Sequence, residues 1–348
     1  MSDATMLATV LHAPGEFELA HVPVPTIEPD EALVRVAACG VCGSDLPRML
    51  TKGAHHHPII CGHEFAGHIV ELGSQVRGHE VDELVTVPPL IPCYQCAPCQ
   101  DGHYGLCQDY DYFGSRRDGA YTTYVAVPQG NLLTVPDGVD PVAAALTDPA
   151  AIALHGLRQT DIGPGARVAV TGAGGPIGLF ALQWARLMGA TDVLGIELRE
   201  EKFPLLEQAG ATTLSTGGEE LTELAGPEGY DVVVECAAAV PAIDAATRIA
   251  GRRAQVVFIG IPTTEVTLSL RTYQHFLRQE VRLMGSWNSF SAPFPGTAWT
   301  ASLDGFASGR LQWEFMITHR LPMSEVPRMI HQMGDGLPSS KVLFEPEG

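Results

Sequence analysis

The sequence predicts an α/β chain of two domains, a β-rich one with long loops and a doubly wound parallel sheet. Three observations carry this expectation. The length of 348 residues exceeds one ordinary core and suits two. The first 150 residues are rich in Gly and Pro and hold short β-type runs at 32–36, 67–72 and 84–87, without sustained helical periodicity. From Arg167 onward the texture changes to strands alternating with helices, the mark of parallel strands joined by crossover helices.

The alternation runs RVAVTGA, PIGLFALQWARLMG, DVLGIEL, REEKFPLLEQAG, TTLST, EELTELAG, DVVVECA, VPAIDAATRIA, AQVVFIGI, TYQHFLRQE and VRLMGSW. This gives about six strands, the complement of a complete dinucleotide-binding sheet. Residues 151–288 are therefore the expected second domain. Residues 1–150 form the first, and 289–348, which have no place in the six-stranded sheet, return to complete it.

Composition narrows the function. The 45% hydrophobic fraction describes a compact globule. No run of eighteen apolar residues and no basic, apolar leader are present, so the expected compartment is the cytoplasm, with no membrane partner. The formal charge of −19 argues against nucleic acid, whose binders need a basic face.

Four of the eight cysteines, Cys93, Cys96, Cys99 and Cys107, stand as C-x2-C-x2-C-x7-C in a Pro/Gly-containing loop. Thiolates so spaced converge on one tetrahedral ion. Structural zinc is expected, an iron–sulfur cluster being the other group such ligands hold. A second set, Cys42, His63 and Glu64, lies in CGVCGSD and CGHEF. It offers one sulfur, one nitrogen and one oxygen, the mixture expected where a metal keeps a position open, although isolated Cys and His residues are also ordinary packing groups. Nearby, Asp45 can fix the tautomer of His63, and Ser44 can carry a proton from a metal-bound alcohol; a turn aspartate and a loop serine are the plainer readings. The run His55, His56, His57 reads as a solvated loop, one member of which can end a proton relay. Cys39, Cys61 and Cys236 read as free, buried thiols.

The segment RVAVTGAGGPIGLFALQWARLMGA has the strand, glycine turn and apolar helix that set a pyrophosphate over a helix N-terminus. Gly172, Gly175 and Gly178, with Pro176 and Ile177 between them, make a G-x-x-G-x-x-G turn one residue longer than the usual fingerprint. Glu197, closing the next strand, can accept both ribose hydroxyls and repel a 2′-phosphate. NAD is favoured over NADP, against which Arg199 offers a counterweight.

Together the stretches CGVCGSDLPR, KGAHHHPIICGHEF, PPLIPCYQCAPC, YDYFGSRRDGAYTTY and GSWNSFSAPFPGTAW resemble the zinc-containing medium-chain alcohol dehydrogenases, within them the galactitol-1-phosphate and sorbitol dehydrogenase branch, over essentially the whole chain. The resemblance implies a GroES-like catalytic domain, a Rossmann domain, two zinc ions per chain and a homodimer or homotetramer. It also implies a catalytic zinc on Cys42, His63 and Glu64. The family's further glutamate is replaced here by Asp148, one methylene shorter, which reaches the ion directly or through water.

On that resemblance the expected reaction is hydride transfer between a secondary alcohol of a polyol and NAD. Ser44 and a histidine such as His55 or His155 would conduct the proton to solvent. Arg116 and Arg117, in GSRRDG, can clamp a phosphate, which puts a phosphorylated sugar alcohol ahead of a free polyol, cyclitol or amino polyol; a solvated turn or interdomain salt bridges are the alternatives. Two other classes stand beside this reading, a zinc-independent quinone or enone reductase and a non-catalytic dinucleotide-binding protein.

Overall fold

The computed structural model describes residues 4–218 and 220–346. By its own packing the chain divides into two compact units. One is Met1–Asp148 with Phe290–Trp313 and Ile317–Gly348, and the other is Pro149–Ser289 with Glu314–Met316.

In the first unit a large mixed sheet runs in the order Leu133–Thr134, Leu84–Thr86, Glu64–Leu72, Glu31–Gly40, Lys341–Glu345, Ile317–Pro322, with Tyr124–Pro128 also paired to Glu31–Gly40. A smaller sheet joins Glu16–Pro23, Thr5–Ala13 and Ile59–Ile60. Val34, Val36, Phe65, Ile69, Val85, Phe113, Tyr121 and Phe344 pack into the shared core. The C-terminal strand matters most for function. It lies antiparallel beside Glu31–Gly40, with Leu343 opposite Gly40 and Phe344 opposite Cys39. On the other side of that strand Gly40 faces Glu64. Residues some 300 apart in sequence thus meet at one point of the sheet.

The second unit is a six-stranded parallel sheet in the order Thr213–Ser215, Asp192–Ile196, Arg167–Thr171, Tyr230–Glu235, Ala250–Phe258, Arg282–Gly285. Its first three strands run outward in one direction and the next three in the other, so the order reverses beside Arg167–Thr171, where doubly wound sheets bind their ligands. Val233, Leu194, Ala169 and Val256 are fully buried, as strands covered on both faces must be. No helix among the described residues is long and apolar enough to cross a membrane.

Glu235 ends the central strand as a fully buried carboxylate. Its Oε1 accepts from the backbone N–H of Ala237 (2.8 Å) and Ala238 (2.9 Å) and from the Thr171 hydroxyl (3.2 Å). Its Oε2 has no partner. Burial raises its pKa against these donors. A folded-state pKa above the unfolded one means that the native state holds the proton more tightly, so this group's contribution declines as pH rises through that range. Glu235→Gln keeps the accepting oxygen and removes the charge. We expect it to stabilise the protein at pH 7 by about 1 kcal/mol, with the gain vanishing toward pH 4, as read from denaturant unfolding at the two pH values.

Candidate active site and metal centres

Cys42, His63 and Glu64 come together, with one ligand atom from each within 4.8 Å of the others. Cys42 follows the strand Glu31–Gly40, and Glu64 opens the strand Glu64–Leu72, so the pairing of these two strands makes the convergence. His63 and Glu64 are 3% and 4% exposed, and so need partners.

Asp45 supplies much of that support. Its Oδ2 accepts from the Cys42 backbone N–H (3.1 Å) and the Tyr121 hydroxyl (2.8 Å), its Oδ1 accepts from Arg48 (2.7 Å), and Oδ1 lies 3.3 Å from His63 Nδ1 in an ion-pair contact. Burial opposes ionisation of Asp45, but His63, Arg48 and Tyr121 outweigh it and hold the carboxyl well below the usual carboxylate range. His63 shows the reciprocal effect: burial disfavours its cation, yet Asp45 and Cys42 raise its pKa well above the ordinary value. The Ser44 hydroxyl donates to Cys42 Sγ at 3.3 Å.

Asp148 falls outside the set of three donor atoms, but it is buried and its Oδ1 has no hydrogen-bond partner. Burial, then the neighbouring Glu64, pushes its carboxyl up to about 7. An orphaned carboxylate oxygen beside a thiolate, an imidazole and a second carboxylate fits a divalent cation.

Sequence reasoning missed Lys341. It opens the C-terminal strand and is fully buried, its ammonium donating to Val41 O (3.0 Å) and pairing with Glu64 Oε2. Gly40 makes room for the pair, since a Cβ there would lie 2.6 Å from Lys341 Cε and 2.7 Å from Glu64 Oε2. A lysine in an otherwise apolar C-terminal strand, KVLF, was the one available signal.

The four-cysteine loop also closes. Its sulfurs lie within 4.8 Å of one another, with Cys93 to Cys99 at 4.0 Å and Cys96 to Cys107 at 3.8 Å. Tetrahedral zinc–thiolate bonds place sulfurs about 3.8 Å apart. Backbone N–H groups point at the sulfurs, Gln95 and Cys96 at Cys93, Gln108 at Cys96, and Cys93 at Cys107. The Gln108 and Cys99 amides draw Cys96 down to about 6, while burial, then the neighbouring sulfurs Cys107 and Cys96, pushes Cys99 up to about 12. Four sulfurs this close ionise together only around a cation. Cys39 and Cys61 are buried free thiols as expected, whereas Cys236 is only half buried.

The three-histidine loop is exposed and strapped to the turn at 115–116. His55 Nδ1 donates to Ser115 O (3.1 Å) and His56 Nε2 to Arg116 O (3.0 Å). His155 lies in the second unit on the helix Thr147–Arg158, its pKa lowered by burial and then by Arg158. Arg116 and Arg117 do not form the paired clamp expected from GSRRDG. Arg117 is engaged by Glu31 (3.1 Å) and Asp111 (3.8 Å) within the same unit, while the Arg116 guanidinium stacks 4.4 Å from the Tyr110 ring centre. Their sequence neighbours explain the split: Asp111 and Phe113 hold one guanidinium and Tyr110 the other.

In the second unit the glycine turn has the form its helix needs. Gly172 adopts φ +65° and packs so closely on Ala237 that a Cβ would lie 2.8 Å from that backbone. Gly175 caps the helix Pro176–Leu187, with Pro176 in its first turn and Ile177 next; a Cβ on Gly178 would lie 2.5 Å from Gly172 O. The extra Gly174 has its own purpose. Its N–H donates to Glu197 Oε2 (3.1 Å), and a Cβ there would strike that oxygen at 2.5 Å. Glu197 Oε1 accepts from the Arg199 backbone N–H (3.1 Å), and Lys202, unforeseen from sequence, reaches Gly174 O at 3.4 Å.

Residues 28–137 match the alcohol dehydrogenase GroES-like domain and residues 176–302 the zinc-binding dehydrogenase domain. The chain belongs to the zinc-binding, medium-chain alcohol dehydrogenase family, with a GroES-like domain and a Rossmann-type dinucleotide-binding domain. It is 32% identical to galactitol 1-phosphate 5-dehydrogenase of Escherichia coli (strain K12), over 98% of this chain and 100% of that protein. To the sorbitol dehydrogenase of Halalkalibacterium halodurans it is 31% identical, over 98% of each. It also superposes on the crystal structure of a zinc-binding dehydrogenase from Sinorhizobium meliloti 1021 bound to NADP, with a TM-score of 0.90 and 33% identity over 99% of this chain and 100% of that one.

Two outcomes follow. Lys341→Met leaves Glu64 buried without its cation and should cost about 3 kcal/mol in the zinc-free protein, measured by denaturant unfolding. Cys99→Ser should cost the protein one zinc per chain and lower its melting temperature, as metal analysis and thermal melting would show.

Proposed function

We propose that the chain oxidises a secondary alcohol of a polyol, passing the hydride to NAD. The carrying observation is the mixed donor set of Cys42, His63 and Glu64 with the orphaned oxygen of Asp148 beside it. Zinc held by these four would supply the Lewis acidity that lowers the pKa of a substrate hydroxyl. The chain's own residues do the rest. Asp45 holds His63 in orientation, and Lys341 holds Glu64. The Ser44 hydroxyl, adjacent to Cys42, takes the substrate proton, and a histidine such as His55 passes it to solvent.

The glycine turn and the N-terminus of Pro176–Leu187 hold the cofactor pyrophosphate. Glu197 favours NAD, since its carboxylate beside the turn repels a 2′-phosphate, although Arg199 and Lys202 lie close by and one similar protein binds NADP. A phosphorylated sugar alcohol heads the substrate list, supported by the likeness to galactitol 1-phosphate 5-dehydrogenase and by Arg116, which has no carboxylate partner among the described residues. A free polyol is the second reading, favoured by the ion pairs that occupy Arg117.

The protein assembles as a homodimer or homotetramer in this reading. Leu270, Tyr273 and Leu277 stand exposed at i, i+3 and i+7 on one helix, and Arg282–Gly285 leaves an unpaired sheet edge.

The decisive experiment assays galactitol 1-phosphate, galactitol and sorbitol with NAD and with NADP. Cys42→Ser should abolish turnover and cost one of two zinc ions while leaving the fold intact; full turnover by that variant stripped of metal rejects the scheme. Arg116→Ala should raise KM for the phosphate ester by roughly 10-fold and leave that of the free polyol unchanged.

A further inference from the structure

Tyr112 is an element of the site that the mechanism does not use. Its backbone is fixed: Tyr112 O accepts from the N–H groups of Ser115 (3.3 Å), Arg116 (2.9 Å) and Arg117 (3.2 Å), and the strand Asp111–Tyr112 pairs with Leu90–Ile91. Its ring is fixed as well. It meets His63 edge-on, with centroids 5.6 Å apart and planes at 62°, and it meets Tyr110 at 6.2 Å and 77°. The phenol hydroxyl, by contrast, makes no hydrogen bond with any described residue.

The ring that carries that hydroxyl packs on a member of the donor set, His63. A phenol is an O–H donor at neutral pH. A pre-positioned donor without a protein partner is one that a ligand can complete.

We propose that the Tyr112 hydroxyl donates to a second hydroxyl of the substrate, the one on the carbon next to that being oxidised, and so selects vicinal diols over simple secondary alcohols. This rests on the reading that Cys42, His63 and Glu64 bind the reacting alcohol. The chemistry is economical: the oxidised carbon's oxygen goes to the donor set and its neighbour's oxygen to the phenol, a two-point grip that a lone alcohol cannot satisfy.

Tyr112→Phe tests it, because the ring that packs on His63 is kept and only the oxygen is removed. The substrates are whichever of galactitol 1-phosphate, galactitol and sorbitol the wild-type enzyme oxidises fastest, and the deoxy analogue of that compound lacking the neighbouring hydroxyl. Zinc content and melting temperature are measured alongside. The variant should keep its zinc, lose roughly 10-fold in kcat/KM on the polyol, and match the wild type on the deoxy analogue. Equal losses on both compounds, or no loss on either, overturn the role of Tyr112 while leaving the dehydrogenase reading in place. If zinc-replete wild-type protein oxidises none of the three polyols with either cofactor, the polyol reading itself falls, and this inference with it.

Discussion

The buried carboxylate of Asp45 is the contact on which the candidate active site depends. It binds the backbone of Cys42, the hydroxyl of Tyr121, the guanidinium of Arg48 and the ring of His63. Cys42 and His63 stand twenty-one residues apart in the chain, and Asp45 ties both to one point. Strand pairing brings the two segments together, and Asp45 fixes how the cysteine and the histidine face each other. The fully buried charge persists because it is multiply bonded, including to the guanidinium of Arg48, a requirement that any ionised group in an apolar core must meet.

Much of this arrangement was legible in the sequence. The six-stranded sheet follows from strands alternating with helices, because crossover connections leave one arrangement for such a pattern. The four-cysteine cluster follows because its ligands are close in sequence, so local chain geometry alone brings them together. Asp45 was legible for the same reason, being three residues from Cys42. Lys341 was not, because nothing local links it to Glu64. Their meeting is a consequence of the C-terminal strand joining the sheet beside Glu31–Gly40, a non-local pairing that no periodicity reports. The separation of the two arginines was illegible for a related reason. Sequence shows two adjacent guanidiniums, but not that Glu31, 86 residues away, claims one of them.

The glycine turn shows how a departure from a motif can be explained by its neighbours. A turn with one residue too many reads as a flaw in a phosphate-binding loop. In the folded chain the additional glycine admits the Glu197 carboxylate to the turn's own backbone, and that approach is open only to a residue without a Cβ. The carboxylate thereby braces the loop, and in the proposed NAD reading it also receives the ribose hydroxyls. In that reading recognition and loop geometry are coupled through one side chain, so a change at Glu197 would act on both.

Charge balance gives the donor set its chemical meaning. Asp45, Glu64, Asp148 and the thiolate form of Cys42 bring four negative charges to a buried region, and two cations answer them directly. Arg48 is committed to Asp45 and Lys341 to Glu64. Asp148 and Cys42 are left without a fixed cation, and burial, then the neighbouring Glu64, pushes the Asp148 carboxyl up to about 7. The deficit amounts to two charges, confined to a volume whose ligand atoms include sulfur, nitrogen and oxygen. A monovalent cation would leave one carboxylate or thiolate uncompensated, and a second lysine would bring no affinity for sulfur. A divalent ion that accepts a mixed, low-coordination donor set meets both conditions, and zinc is the one whose preferences these residues match.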